Sequence, residues 1–278
     1  MAQTDEQHQA CAACFKGHRL DGEPKGTMEE LGGLAYYYAP GKSGQQADKA
    51  IVLGTDMFGL GIPNCKLIAD WFASNTGLPV FVPDLLEGDY VDPDSLGLEE
   101  AEEPMAAKPF LTRVRITLST IWAFLYKIGP RFLSRHSMGH VEPIADKFCR
   151  DLKEQKGFKR LGWVGYCFGG TLAVLLAKEG SPIDVSVCFH PGGPSASNWS
   201  SIAKPFMLVC SEEDFSFDRI KPTVLPMLAQ LWVPVEIHDD NKGTTHGFGC
   251  RPNLGKPEIR VTYERGLERT KGWFEKHL

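Results

Sequence analysis

A glycine-rich turn between two apolar runs is the feature that most constrains the fold of this chain. Residues 161–166 are mostly apolar, Cys167 stands at the turn, and two glycines, Gly169 and Gly170, follow it. This pattern predicts a buried strand, a sharp turn and a helix from Phe168 to Lys178. Such a corner requires a sheet with a helix packed directly against it.

The glycines at this corner have a steric explanation. A residue at the tip of so sharp a turn adopts a strained backbone conformation, and side chains close to it would collide. Gly165 lies two residues before Cys167 and Gly169 lies two residues after it, so neither position carries a side chain. Gly170 then allows the helix to pack closely on the sheet.

Cys167 is the candidate nucleophile of the chain. The helix N-terminus favours a thiolate there, because unpaired N–H groups and the helix dipole attract negative charge. The alternative is that Cys167 is one more buried small apolar residue among the eight cysteines of the sequence. Residues further along the chain distinguish these two interpretations.

Composition and charge exclude several classes of protein. The chain has 278 residues, of which 42% are hydrophobic and 23% charged, and its formal net charge is −5. This is enough chain for a large core, and the negative charge argues against a nucleic-acid or membrane-surface partner. The polar N-terminus lacks the apolar core of a signal peptide. We expect a cytoplasmic protein with mostly reduced thiols, present as a monomer or homodimer.

Predicted strands and helices alternate along most of the chain. Strands are predicted at 34–39, 50–55, 77–84, from 161, and at 185–189, 205–209 and 233–238, with helices at 64–74, 168–178 and 258–276. Strand–helix–strand units with short connections imply a parallel sheet, and nearly all-apolar strands imply that helices cover both of its faces. The predicted fold class is α/β, with a mostly parallel central sheet.

A single domain over residues 1–278 is expected, with an N-terminal extension at 1–32. Within the extension, Cys11, Cys14 and His18 resemble part of a zinc site. Zinc requires four ligands, and no second closely spaced pair follows, so no metal site is predicted.

Residues 87–150 interrupt the alternation and are interpreted as an insertion or partial cap between core strands. The acidic stretch at 92–103 is predicted to be a solvated loop, and residues 110–134 are predicted to form a helix. The basic residues of this helix are Arg113, Arg115, Lys127 and Arg131. The helix either covers the core or lies over the catalytic edge, with one of its arginines directed at an anionic substrate group.

A thiol nucleophile needs a base to accept its proton, and the base needs an acid to orient it. The loop after strand 205–209 contains Asp214, the best-placed acid, and the loop after strand 233–238 contains His246 between glycines. The acids left as alternatives are Asp218, Glu213 and Glu212. Because nucleophile, acid and histidine follow the required order, we predict a triad of Cys167, Asp214 and His246, although His246 alone could be an exposed loop residue.

Two backbone N–H groups are expected to bind the oxyanion that forms during acyl transfer. One belongs to Phe168, the residue after the nucleophile. The other is expected from the loop after strand 50–55, where Met57 is the natural donor.

With these residues the sequence resembles the dienelactone hydrolase family (carboxymethylenebutenolidase-like) of the α/β-hydrolase superfamily. The resemblance runs from about Leu34 to the C-terminus and is carried by the motifs at 165–170, 213–214 and 245–249. It implies the α/β-hydrolase fold and hydrolysis of an enol lactone or activated ester through a thioester on Cys167. No cofactor is implied.

The resemblance also implies residues around the thiol. Members of the family place a carboxylate after the first core strand, where this chain has Asp56, one methylene shorter than the usual glutamate. An arginine that binds a substrate carboxylate follows the histidine, and Arg251 lies near that place. From the residues alone, His190 is either a turn residue or part of the pocket wall, and Phe58 is either a wall or a core aromatic.

Other functions remain open on the same residues. The machinery suits a thioesterase or a small-ester carboxylesterase equally well, because a triad does not select the acyl group. Two further alternatives belong to different classes of protein. One is a non-catalytic receptor for a small ligand, and the other is a redox sensor in which Cys167 becomes oxidised. Neither of these needs a complete triad, so the sequence favours a hydrolase acting on a small ester or lactone.

Overall fold

The computed structural model describes residues 18–42, 48–91, 109–112, 114, 115, 118, 132, 134–214 and 216–278. Its strands are β1 (Thr27–Leu31), β2 (Leu34–Ala39), β3 (Lys49–Gly54), β4 (Val80–Pro83), β5 (Arg160–Tyr166), β6 (Val185–Phe189), β7 (Phe206–Val209) and β8 (Val235–His238). Its main helices are α1 (Asn64–Thr76), α2 (Met138–Lys156), α3 (Phe168–Leu176), α4 (Ala196–Ser200), α5 (Lys221–Leu228) and α6 (Pro257–His277).

All eight strands form one sheet in the order β1-β2-β4-β3-β5-β6-β7-β8. The pairs β1–β2 and β2–β4 are antiparallel, and every pair from β4 through β3 to β8 is parallel. The predicted mostly parallel sheet is therefore confirmed. Because the parallel strands run the same way, the loops after β3, β5, β6, β7 and β8 all emerge at one edge.

Helices cover both faces of this sheet, as the apolar strands predict. In β3, Ala50 and Val52 belong to one buried cluster while Ile51 and Leu53 belong to the other, and all four are fully buried. Helices α1 and α6 contact each other on the Ile51 side, and α2 and α3 contact each other on the opposite side. Each face of the sheet thus has its own apolar layer.

Helix α2 shows that the predicted insertion at 87–150 is too long. Its buried residues Val141, Ala145, Phe148 and Leu152 have spacings of four, three and four, which is a helical stripe. Pro143 within the helix and a polar outer face obscured this stripe in the sequence. Helix α2 connects β4 to β5, so residues from Met138 onward belong to the core.

The N-terminal extension is also partly a core element. Strand β1, inside the predicted extension 1–32, pairs along its whole length with β2 and forms the sheet edge. Cys11 and Cys14 lie outside the described residues, as do Arg113, Lys127, Arg131 and the acidic stretch. Arg115 is helical and exposed. None of the helices in the described part of the chain has the length and hydropathy of a membrane span.

Element ends differ from the predictions where local backbone geometry decides them. Helix α1 continues past residue 74 to Thr76, and Gly77 ends it in the left-handed conformation with φ of 74°. Strand β4 begins only at Val80, after that turn. Helix α3 ends at Leu176 rather than at Lys178, which instead forms a short bridge with Ile202.

Backbone segments approach one another closely where β3, β5 and α3 meet. A Cβ at Gly169 would lie 2.2 Å from the carbonyl oxygen of Gly54, and one at Gly165 would lie 1.8 Å from the carbonyl oxygen of Gly169. At Gly170 a Cβ would lie 2.6 Å from the carbonyl oxygen of Phe189. The steric reason inferred from the sequence for these three glycines is confirmed.

Alanine at Gly169 should therefore destabilise the protein. Helix propensity alone favours Ala over Gly by about 1 kcal/mol, but the Cβ would meet backbone that cannot move aside. We expect Gly169→Ala to lower the free energy of unfolding by about 3 kcal/mol, measured by urea denaturation.

Gly272→Ala is the matched control, since Gly272 also lies in a helix and a Cβ there meets nothing within 4 Å. It should raise the free energy of unfolding by about 0.5–1 kcal/mol. Equal effects of the two substitutions would contradict the importance of the close approach.

Candidate active site

Cys167 lies at the tip of the corner between β5 and α3. Its φ of 52° and ψ of −104° fall outside the helical and extended regions, a conformation that costs about 1–3 kcal/mol and persists only where the surroundings enforce it. Its N–H donates to the carbonyl of Phe189 (3.2 Å), and its own carbonyl accepts from Thr171 (3.0 Å) and Gly192 (3.1 Å). These bonds hold the thiol at the N-terminus of α3.

His246 lies on the loop after β8, which is joined to the acidic loop after β7. The N–H of Glu213 donates to the carbonyl of Thr244 (3.2 Å), and Glu213 and Thr245 form a parallel bridge. Gly247, with φ of 100°, allows the chain to turn directly after His246. The two loops therefore continue the β7–β8 pairing to the sheet edge and bring their side chains together.

The acid that contacts His246 is Asp214. The distances from the Nδ1 atom of His246 to the two carboxylate oxygens are 2.9 and 3.0 Å, and Asp214 is only 1% exposed. Among the alternatives, Asp218 accepts the backbone N–H of Asp214, and Glu212 accepts the backbone N–H of Gly243. Both carboxylates are thus engaged elsewhere.

Two serines hold the Asp214 carboxylate in place. Ser211 donates to Oδ2 (3.1 Å), while the backbone N–H of Ser216 donates to Oδ1 (3.0 Å). The Ser216 hydroxyl also lies 3.2 Å from the Nδ1 atom of His246. Sequence analysis missed both serines; the bond from the Ser216 N–H to the Asp214 side chain two residues earlier is an Asx turn, which any residue with a backbone N–H could form.

Electrostatics couple Cys167, His246 and Asp214. Burial disfavours the charged imidazole, but the charges of Cys167 and Asp214 and the hydrogen bonds from His246 to both outweigh it and raise the pKa of His246 to about 10. Burial likewise opposes ionisation of Asp214, yet the positive charge of His246 and its hydrogen bond hold the pKa of that carboxyl well below its usual range. The arrangement suits a charged His246 imidazolium beside the Asp214 carboxylate.

Asp56, at the end of β3, forms a buried ion pair with Arg251. The Nε atom of Arg251 lies 3.0 Å from Oδ2 of Asp56, and the two residues are 7% and 1% exposed. The backbone N–H of Phe58 donates to Oδ1 (3.1 Å), and the Cys250 thiol donates to Oδ2 (3.3 Å). Sequence analysis did not identify Cys250 as a site residue, because nothing in the sequence distinguishes it among the eight cysteines.

Phe58 is buried at 1% exposure, and its ring centroid lies 4.5 Å from the guanidinium carbon of Arg251. The ring makes a cation–π contact with the Arg251 guanidinium and does not form the wall of an open pocket.

Met57, one of the two predicted oxyanion donors, precedes Phe58 in the loop, and its carbonyl accepts the N–H of Val91 (3.1 Å). Phe168 opens α3, so its N–H is one of the four that a helix N-terminus leaves without an intrahelical partner.

His190 directly follows β6 and is fully buried. Its ring centroid lies 5.0 Å from that of His246. With no exposed surface it does not form part of an open pocket wall, which was one of the two interpretations from the sequence. His190 also differs from an ordinary turn residue, because its ring packs against the His246 imidazole.

A buried asparagine connects this site to the N-terminal segment. The amide nitrogen of Asn64 donates to the carbonyls of Cys250 (2.9 Å) and His18 (3.0 Å), and its oxygen accepts the N–H of Leu20 (3.1 Å). The loop that bears His246 and Arg251 is thereby tied to α1 and to residues before β1. No group of three or more metal-ligating side chains occurs within the ranges that the structure describes.

The raised pKa of His246 makes stability depend on pH in a defined direction. The folded state binds the proton more tightly than the unfolded chain, so this stabilisation is complete below pH 6.5 and is lost as the pH rises through about 10. Between pH 6.5 and 9 we expect the wild type to lose about 3 kcal/mol of unfolding free energy that His246→Gln does not lose.

Urea denaturation at several pH values measures this difference. His140→Gln, at an exposed position in α2, is the control and should follow the wild-type profile. Parallel profiles for the wild type and His246→Gln would contradict a tightly held proton.

Comparisons with known proteins agree with this architecture. The sequence model of the Dienelactone hydrolase family matches residues 34–278. The hydrolase pyvD of Aspergillus violaceofuscus is 30% identical over 95% of this chain and 96% of its own length. The carboxymethylenebutenolidase homolog of Homo sapiens is 24% identical over 95% of this chain and 96% of its own.

Solved structures share the fold at low sequence identity. The dienelactone hydrolase-like promiscuous phosphotriesterase P91 has a TM-score of 0.60 at 17% identity, covering 90% of this chain and 98% of its own. The dienelactone hydrolase from Anabaena variabilis has a TM-score of 0.57 at 13% identity, covering 92% and 98%. On the match over residues 34–278, the chain belongs to the Dienelactone hydrolase family and is a hydrolase with the α/β-hydrolase fold.

Proposed function

We propose that this hydrolase opens enol lactones or activated esters through a thioester on Cys167, with His246 as base and Asp214 as its orienting acid. One observation carries the proposal: the Nδ1 atom of His246 lies 2.9 Å from Asp214, and Cys167, strained at φ of 52°, acts with Asp214 to raise the pKa of the same imidazole. Nucleophile, base and acid are thereby connected in the order that acyl transfer requires.

In the first half of the proposed reaction, the Cys167 thiolate attacks the carbonyl carbon of the substrate. The carbonyl oxygen becomes an oxyanion, for which the backbone N–H groups of Met57 and Phe168 are the proposed donors. Collapse of this intermediate breaks the bond to the ring or ester oxygen and leaves a thioester. The departing enolate or alkoxide takes the proton that His246 holds.

In the second half, neutral His246 accepts a proton from water, and the resulting hydroxide attacks the thioester carbonyl. The carbon–sulfur bond then breaks, which releases the carboxylic acid and restores the thiolate beside an imidazolium. Asp214 keeps its charge throughout and stabilises the imidazolium that forms in each cycle. Each proton passes through His246, and water is the one co-reactant besides the substrate.

Thiol chemistry favours substrates with good leaving groups. A thiolate is both a strong nucleophile and a good leaving group, so it opens activated esters more readily than amides. Arg251 is held by Asp56 at 3.0 Å over the Phe58 ring, and we propose that its guanidinium attracts a carboxylate-bearing substrate. Asp56, which is one methylene shorter than the glutamate usual in the family, then serves to position Arg251. The small-ester alternative uses the same steps with a different acyl group, and the thioesterase alternative differs also in its leaving group, a thiolate that departs when the substrate C–S bond breaks.

Replacing Cys167 tests the proposal. We expect Cys167→Ala to fold normally and to lower kcat/KM by at least about 1000-fold, because the covalent step is lost. Cys167→Ser should also fold and lose most turnover. The assay uses p-nitrophenyl acetate and a panel of lactones that includes a dienelactone, with mass spectrometry of the Cys167 peptide for a transient acyl adduct.

Cys149→Ala is the matched control, since Cys149 is a fully buried thiol in α2 and should keep wild-type turnover. Wild-type rates from Cys167→Ala would exclude Cys167 as the nucleophile. Absence of both turnover and adduct across the panel would favour a ligand receptor instead.

A further inference from the structure

His190 has features that a turn residue does not need. Within the described residues, only Glu87, Cys167 and His190 combine a side chain with positive φ, and the value for His190 is 32°. Its N–H donates to the carbonyl of Val209 (3.1 Å), which fixes this conformation at the end of β6. A strained backbone is maintained here, as at the candidate nucleophile.

The hydrogen bonds of the ring define its protonation state. The backbone N–H of Gly249 donates to the Nε2 atom of His190 (3.2 Å), so that nitrogen must carry a lone pair. The ring hydrogen therefore lies on Nδ1, which is buried and finds no partner among the described residues. A charged ring would place a second donor against the Gly249 N–H, so the geometry requires neutral His190.

The surroundings of His190 agree with a neutral ring. Burial and the adjacent positive charge of His246 lower its pKa, Asp214 opposes this shift, and Arg251 adds to it. These three residues are the charged groups that act on the ring from the neighbouring loops. Because His190 stays neutral, it adds no positive charge beside His246, which can then hold the proton itself.

The contacts of His190 fix the loop that carries His246. Its ring packs against His246 at 5.0 Å and against Phe248 at 5.7 Å between centroids. The bond to Gly249 holds the same loop three residues beyond His246. Gly249 must lack a side chain for this approach, because a Cβ there would lie 2.7 Å from the Phe189 ring.

We propose that His190 is a positioning residue of the catalytic site: as a neutral hydrogen-bond acceptor for Gly249 and a packing surface for the imidazole, it sets the orientation of His246 between Asp214 and Cys167. The proposal rests on the function proposed above for these three residues. His190 touches no substrate, since none of its surface is exposed, so its effect passes through His246.

Two substitutions separate the acceptor from the ring. His190→Phe keeps an aromatic ring but cannot accept from Gly249, whereas His190→Gln supplies an oxygen acceptor and cannot titrate. We expect His190→Phe to lower kcat about 10- to 100-fold with KM within about twofold, since a small displacement of a catalytic group is enough for such a loss. His190→Gln should keep kcat within about threefold of the wild type.

Alkylation of Cys167 by iodoacetamide as a function of pH provides a readout that needs no substrate. We expect His190→Phe to move the midpoint of this profile upward by about one pH unit, because a displaced His246 no longer stabilises the thiolate. His190→Gln should leave the midpoint in place. A merely structural defect would reduce the amount of folded protein without moving the midpoint.

Several results would overturn the proposal. Wild-type kcat and alkylation in His190→Phe would show that the acceptor is not used, and equal losses in both variants would show that an acceptor at this position does not orient His246. If His190→Phe does not fold, His190→Met replaces it as a variant that lacks a nitrogen acceptor. If the wild type turns over no ester or lactone, the proposed function fails, while the alkylation profiles still decide the role of His190.

Discussion

The close contact between the backbones of β3, β5 and α3 is the constraint on which the rest of the structure depends. With Gly169 packed against Gly54, and Gly165 against the first turn of α3, helix and sheet approach within a distance that admits no Cβ. This contact forces the chain to turn sharply at Cys167. The strained conformation of that residue is thus a consequence of packing elsewhere in the core, which is rigid enough to maintain it.

The parallel sheet then determines which side chains can meet. Loops after β5, β7 and β8 emerge at the same edge, and the bridge between Glu213 and Thr245 carries the β7–β8 pairing into the loops themselves. Cys167, Asp214 and His246 come from positions far apart in the sequence, but each is placed by a strand end. The site therefore needs little additional structure of its own, apart from the short hydrogen bonds around Asp214.

Periodicity and local chemistry predicted most of the sheet and the contact between Asp214 and His246 at its edge. The elbow glycines, the order of the loops and the apolar strands each have a local physical cause, so they are visible in one sequence. Helix α2 was missed because Pro143 and a polar surface masked a regular stripe. The contacts of Ser216, Cys250 and His190 could not be predicted, because they arise between loops that only the folded chain brings together.

The amide of Asn64 has a consequence for where the functional unit begins. The region shared with the family starts at residue 34, yet Asn64 binds the backbones of His18 and Leu20 as well as that of Cys250, close to the histidine and arginine of the site. A truncated protein limited to the shared region would lack strand β1 and would leave polar groups of a fully buried amide without those partners. The smallest active fragment of this hydrolase should therefore be longer than the boundaries of its family suggest.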